Sequence, residues 1–95
     1  MSGSAKATVP QDVVERISSL PFGTSRGQAQ GRTYVASRSD FNGGRSVKVV
    51  AEELGGPDYI SLNLYHLKHG ARLYPCEMPA AKVIAFVRAY TPEAP

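Results

Sequence analysis

The sequence predicts an α+β fold: a four-stranded antiparallel β-meander followed by a C-terminal helix, with a short N-terminal helix. Two patterns carry this. Between residues 32 and 75 apolar and polar side chains alternate with a period of two, broken only by short turns. After Pro79, Ala80 to Tyr90 is rich in good helix formers. Turns this short force antiparallel neighbours, because a parallel pair needs a crossover of about a dozen residues or more.

The N-terminal helix is read over residues 10–20. Pro10 suits a first turn, Asp12 and Glu15 favour that end, and Val13, Val14, Ile17 and Leu20 recur at helical spacing before Pro21 stops it. Residues 22–31, with Gly23, Gly27 and Gly31 among polar residues, read as a loop. Arg32 to Ser39 is the first strand, closed by Asp40-Phe41-Asn42-Gly43-Gly44; Arg45 to Leu54 is the second, closed by Gly55-Gly56-Pro57-Asp58. The third strand, Tyr59 to Leu67, sets Ile60, Leu62 and Leu64 against Tyr59, Ser61, Asn63 and Tyr65. Ala71 to Pro75 is the fourth. In the last helix Val83, Ile84, Val87 and Tyr90 form the apolar stripe. The domain is expected over residues 10–90, with 1–9 a flexible lead and 91–95 a tail.

Ninety-five residues hold one core. At 42% apolar and 20% charged, the composition is that of a folded domain and not of a disordered chain. No apolar run reaches the roughly 18 residues of a membrane helix, and the N-terminus lacks the apolar core of a secretion signal. The lone Cys76 forms no internal disulfide, so the expected location is the cytoplasm and no membrane partner is expected. Eleven basic residues against eight acidic ones, net +3, permit an anionic partner without requiring one.

One helix, about 10 Å across, is too narrow for the inner face of a sheet some 15–20 Å wide. The N-terminal helix is expected to supply the missing cover, with a second copy of the chain as the competing solution.

If Val35, Val47, Ile60 and Leu73 point inward, then Arg32, Tyr34, Arg38, Lys48, Tyr59, Asn63, Tyr65, Arg72 and Tyr74 share the outer face. Tyrosine rings stack on unpaired bases while Lys and Arg engage phosphates. Tyr34, Tyr59, Tyr65 and Tyr74 are therefore the stacking candidates, and Arg38, Lys48 and Arg72 the phosphate candidates. Two other readings fit the same residues: a plain sheet face held by cross-strand tyrosine and arginine pairs, and a protein interface, either with another protein or in a homodimer. The glycine-bearing segment 23–32 matches neither phosphate-loop motif, so Arg26 has at most an auxiliary role.

Catalysis has little support. Cys76 precedes a helix, but alternation puts His66 with Ile60 and Leu64, on the other face from Tyr74 and the thiol that follows it. His66, His69 and Cys76 match no zinc spacing, and the adjacent Glu52 and Glu53 point to opposite faces. No cofactor is implied. The expected function is a small non-catalytic binding domain that contacts single-stranded nucleic acid through its tyrosine and arginine face, with a protein-interaction module next and a thiol-dependent enzyme last.

The order strand-strand-strand-strand-helix over residues 32–90 resembles that of single-strand-binding transcriptional coactivators and the plant Whirly proteins. The resemblance implies chains that pair through helices and bind unpaired DNA on curved sheets. It rests on element order and assigns no residue.

Overall fold

A computed structural model of the chain describes residues 9–93. The lead expected at 1–9 lies outside the described residues, save Val9, as do residues 94 and 95 of the tail. The elements are α1 (Gln11–Ser18), β1 (Gly23–Ala29), β2 (Arg32–Phe41), β3 (Ser46–Glu53), β4 (Tyr59–Leu67), β5 (Gly70–Pro75), α2 (Ala80–Ala89) and β6 (Thr91–Pro92). All strands join one sheet in the order β5-β4-β3-β2-β1-β6, and every neighbouring pair is antiparallel. The fold is α+β as expected, but the sheet has six strands instead of four.

The first extra strand is the segment read as a loop. β1 pairs along its whole length with β2, from Gly23 opposite Arg38 to Ala29 opposite Arg32. Gln30 and Gly31 close this hairpin with φ of 54° and 79°, the two left-handed residues of the tightest turn that matches strand twist. Gly27 is not a flexible spacer. A Cβ there would lie 2.5 Å from Cζ of Tyr90 and 2.6 Å from the Thr91 carbonyl oxygen, so only glycine admits the end of α2 and the strand after it. That strand, β6, is the other addition. Thr91 and Pro92, expected in the tail, pair with Gln28 and Gly27, and the Glu93 N–H donates to the Arg26 carbonyl at 2.9 Å.

Both helices lie on one side. Val13 and Ile17 of α1 join Val83, Phe86 and Val87 of α2 over Ala36, Val47, Val49, Ala51, Ile60, Leu62, Leu64 and Leu73. Each buried aliphatic side chain contributes about 1.5–3 kcal/mol, so α1 supplies the cover that α2 alone is too narrow to give. The thinnest dimension of the molecule is 20 Å, the depth of one helix layer on one sheet. The other sheet face therefore carries no second layer among the described residues.

β2 reverses the expected parity. Tyr34 and Ala36 are buried in the core and Val35 points outward. The Tyr34 ring packs edge-on against Phe86 at 4.9 Å, and its hydroxyl donates to Oδ2 of Asp58 at 2.6 Å. Lys82 reaches the other oxygen of Asp58 at 2.7 Å, and Arg32 stands 3.8 Å away. Arg38 is also on this side, with only 9% of its surface exposed. Its Nε and Nη2 fork onto the two Asp40 carboxylate oxygens at 2.9 and 3.0 Å, and Nη1 donates to the carbonyls of Ser18 and Leu20 at 2.8 Å each. Those carbonyls belong to the end of α1 and the residues after it, where helical partners run out and a cation is favoured. The guanidinium also lies 4.2 Å from the Phe22 ring centre.

Gly27→Ala is expected to cost about 1–3 kcal/mol in urea denaturation, the range for forcing atoms into a filled site. Arg38→Ala leaves Asp40 and two carbonyls without their donor and is expected to cost about 3–5 kcal/mol. Arg88→Ala, which removes the exposed pair with Asp12, should leave the midpoint nearly unmoved. Titration separates the polar cluster. The Lys82 hydrogen bond, and then that of Tyr34, hold the Asp58 carboxyl below the ordinary carboxylate range. Its folded value lies under its unfolded one, so its contribution is complete above about pH 4 and is lost as acid protonates it in the folded state. Burial, and then Asp58, raise the Tyr34 phenol, so its contribution is complete below about pH 10 and fades as alkali deprotonates the folded form. Urea midpoints against pH should fall at both extremes, with a shallower acid limb in Asp58→Asn and a shallower alkaline limb in Tyr34→Phe.

Candidate functional site

The open face of the sheet is built mainly by β3, β4 and β5, whose alternation is unbroken. Lys48, Asn63 and Tyr74 stand opposite one another in one cross-strand row, and Ser46, Tyr65 and Arg72 in the next. Tyr65 and Tyr74 are diagonal neighbours whose rings meet edge to face at 5.4 Å. Together with Leu67 they line an open groove of about 480 Å³. Tyr59 lies on the same face opposite Glu52, but six residues before Tyr65 on one strand, so about 20 Å away. Tyr59, Tyr74, Leu67 and Phe41 are exposed, at 43%, 46%, 50% and 52%.

Of the seven residues the sequence nominated, the structure brings Lys48, Tyr65, Arg72 and Tyr74 together and sets Tyr59 on the same face at a distance. Tyr34 and Arg38 are corrected. Their side chains lie on the core side, held by Asp58 and by Asp40 with the end of α1, and neither is available as a platform residue. The sequence reading also overlooked Phe41 and Leu67. Leu67 shares the parity of Tyr65, and that signal was present in the strand pattern.

Charge is divided between the two sides. On the helix side Arg32 meets Glu53 and Asp58, Arg38 meets Asp40, Lys82 meets Asp58 and Arg88 meets Asp12. On the open face Arg26, Lys48 and Arg72 form no ion pair with any described residue, and neither do Arg45 and Lys68 at its rim. Glu52 is the one carboxylate that strand alternation sends to this face. Apart from Arg16 on α1, the described cations that form no ion pair with a described residue thus lie on this face or at its rim. Such a surface can stack planar aromatic groups and attract anions.

Little on this surface suits catalysis. The Cys76 N–H pairs with the Ser61 carbonyl, and Asn63 Nδ2 donates to its sulfur at 3.6 Å. His66 is five residues beyond Ser61 on β4 and on the opposite face, about 16 Å along the strand. His69 is farther still, in the turn before β5. Neither histidine is placed to act as a base for the thiol. Glu52 faces out and Glu53 in, so they do not form an acid–base pair. Among the described residues no cluster of His, Cys, Asp or Glu has the geometry of a metal site, and no helix is long and apolar enough to cross a membrane.

Comparisons with protein-family models, with curated proteins and with solved structures find no match to this chain.

Proposed function

We propose that the open sheet face binds single-stranded nucleic acid without catalysis. In this reading Tyr65 and Tyr74 offer rings to unpaired bases, Lys48 and Arg72 neutralise the adjoining phosphates, and Tyr59 gives a second stacking point about 20 Å along β4. The observation that carries it is the division of charge. Apart from the exposed Arg16 of α1, the described cations on the helix side are matched by carboxylates, while those on or at the rim of the open face have no carboxylate partner among the described residues. A duplex hides its base faces and offers nothing to stack, so the reading specifies an unpaired strand.

A second reading rests on Phe41, Leu67, Tyr59 and Tyr74, all exposed on this face. A protein partner or a second copy would bury them. Light scattering over a dilution series addresses the second copy. A monomer at the highest concentration removes it.

Titration of labelled short oligonucleotides at low and moderate salt is the direct test. Affinity should fall steeply with salt, and a duplex of the same sequence should bind less tightly. Tyr65→Ala and Tyr74→Ala should each cost about 1–3 kcal/mol of binding. Lys48→Ala should lower the salt slope by about 0.7. Tyr34→Phe, on the opposite face, should bind as the parent does. No binding at low salt overturns the proposal.

A further inference from the structure

The stacking groove does not end at Tyr65. Tyr65 and Leu67 also form one wall of a second open groove, about 560 Å³, at the rim where β3 begins and β4 ends. Its remaining walls are Arg45, Lys68, Asn42, Ser46 and His66, and among the described residues no carboxylate lines it. The turn between β2 and β3 orients the chief cation. The Arg45 N–H and its Nε both donate to the Asn42 carbonyl, at 3.3 and 3.1 Å. With Nε occupied there, the two terminal amino groups of the guanidinium remain free, in the fork that suits a phosphate. The Arg45 carbonyl accepts from the His66 N–H at 2.8 Å, which fixes this turn against the end of β4. Asn42 Nδ2 donates to the Ser46 Oγ at 3.1 Å, leaving the hydroxyl proton of Ser46 to donate elsewhere.

Three features of this groove match a nucleotide phosphate. Its volume is in the range of small-ligand sites, roughly 300–1,000 Å³. An aromatic wall shared with the stacking groove would seat the base while the cations hold the phosphate. Its position at the rim means that a strand lying over Tyr65 and Tyr74 leaves the protein here. A phosphate at a strand end carries nearly two charges near neutral pH against one for an internal phosphodiester, and Arg45 and Lys68 together match the former.

We propose that this rim groove takes the terminal phosphate of a nucleotide whose base lies against Tyr65. The proposal deepens the single-strand reading and rests on it for the placement of the base. The same chemistry comes from two sources, the phosphorylated end of a strand or a free mononucleotide.

The test uses the full chain and four probes: a tetranucleotide bearing a 5′-phosphate, the same with a 3′-phosphate, the unphosphorylated form, and adenosine monophosphate. A terminal phosphate at one end should tighten binding by about tenfold, the worth of charge-assisted hydrogen bonds at an open site. Arg45→Gln and Lys68→Gln should each abolish most of that gain and leave affinity for the unphosphorylated form within about twofold. Arg45→Lys should recover part of it, since it restores the charge without the fork. Arg16→Gln, an exposed cation on α1, is the control and should bind as the parent does. A phosphorylated tetranucleotide that binds more tightly than the mononucleotide identifies the strand end as occupant, and equal affinities identify the free nucleotide. If all tetranucleotides bind alike and Arg45→Gln changes nothing while Tyr74→Ala still weakens them, the rim groove is refuted and the stacking face stands. If no tetranucleotide binds but the mononucleotide does, with loss on Arg45→Gln, the groove stands and the stacking face falls. Absence of binding by every probe overturns both.

Discussion

Arg38 fixes which surface of this protein is free. Its guanidinium joins Asp40 to the carbonyls of Ser18, at the end of α1, and Leu20, just beyond it, so β2 turns that edge of its pleat toward the helices. Tyr34 follows with the same parity and ties the far end of the strand to Asp58 and, through it, to Lys82 of α2. With β2 set this way, side chains on β1 and β3 are fixed by register, since a slip of one residue would send every apolar side chain of the core to water. The same contacts draw carboxylates to the helix side. Asp40, Glu53, Asp58 and Asp12 are engaged there, and the cations of the other face form no ion pair among the described residues. The electrostatic character of the open surface is thus a consequence of how the core was closed.

How much of this was legible depended on whether the deciding contacts were local. β3, β4 and β5 could be read because most of their aliphatic residues share one parity, as in Val47, Val49 and Ala51, or Ile60, Leu62 and Leu64, with Val50 and Leu67 the exceptions. Both helices could be read for the same reason at a different period. β2 could not. Tyr34, Val35 and Ala36 put apolar side chains on both parities, and the choice was made by Asp58, Phe86 and the end of α1, all distant in sequence. An arginine in a strand is ordinarily exposed. Nothing near Arg38 in the sequence announces that two backbone carbonyls from residues 18 and 20 will receive it.

β1 failed for a different reason. Its glycines and short polar side chains are the usual marks of a loop, and strand propensity is only a weak guide to them. Gly27 is required by close approach: the Tyr90 ring and the Thr91 carbonyl occupy the space a side chain would need. A residue chosen for what it leaves out carries no local signal of strand. The candidate site was legible in proportion. Lys48, Tyr65, Arg72 and Tyr74 lie on the readable strands, whereas Arg45 and Lys68 lie in turns, where alternation says nothing about direction.

The sheet also constrains how a partner could attach. Successive antiparallel pairs alternate between bonded and non-bonded, and the Cys76 N–H to Ser61 carbonyl contact places Tyr74 and Arg72 in bonded pairs with β4. The outward groups of β5 therefore belong to Ala71, Leu73 and Pro75, and Pro75 has no N–H to offer. At the opposite edge β6 is two residues long and ends in Pro92. Proline and brevity at an edge both oppose strand addition. Both edges thus disfavour backbone pairing, and what the sheet leaves exposed are the side chains of its open face. Tyrosine suits that position. Its ring supplies a broad flat contact and its hydroxyl stays hydrated, so the face remains exposed at lower cost than a row of leucines would incur.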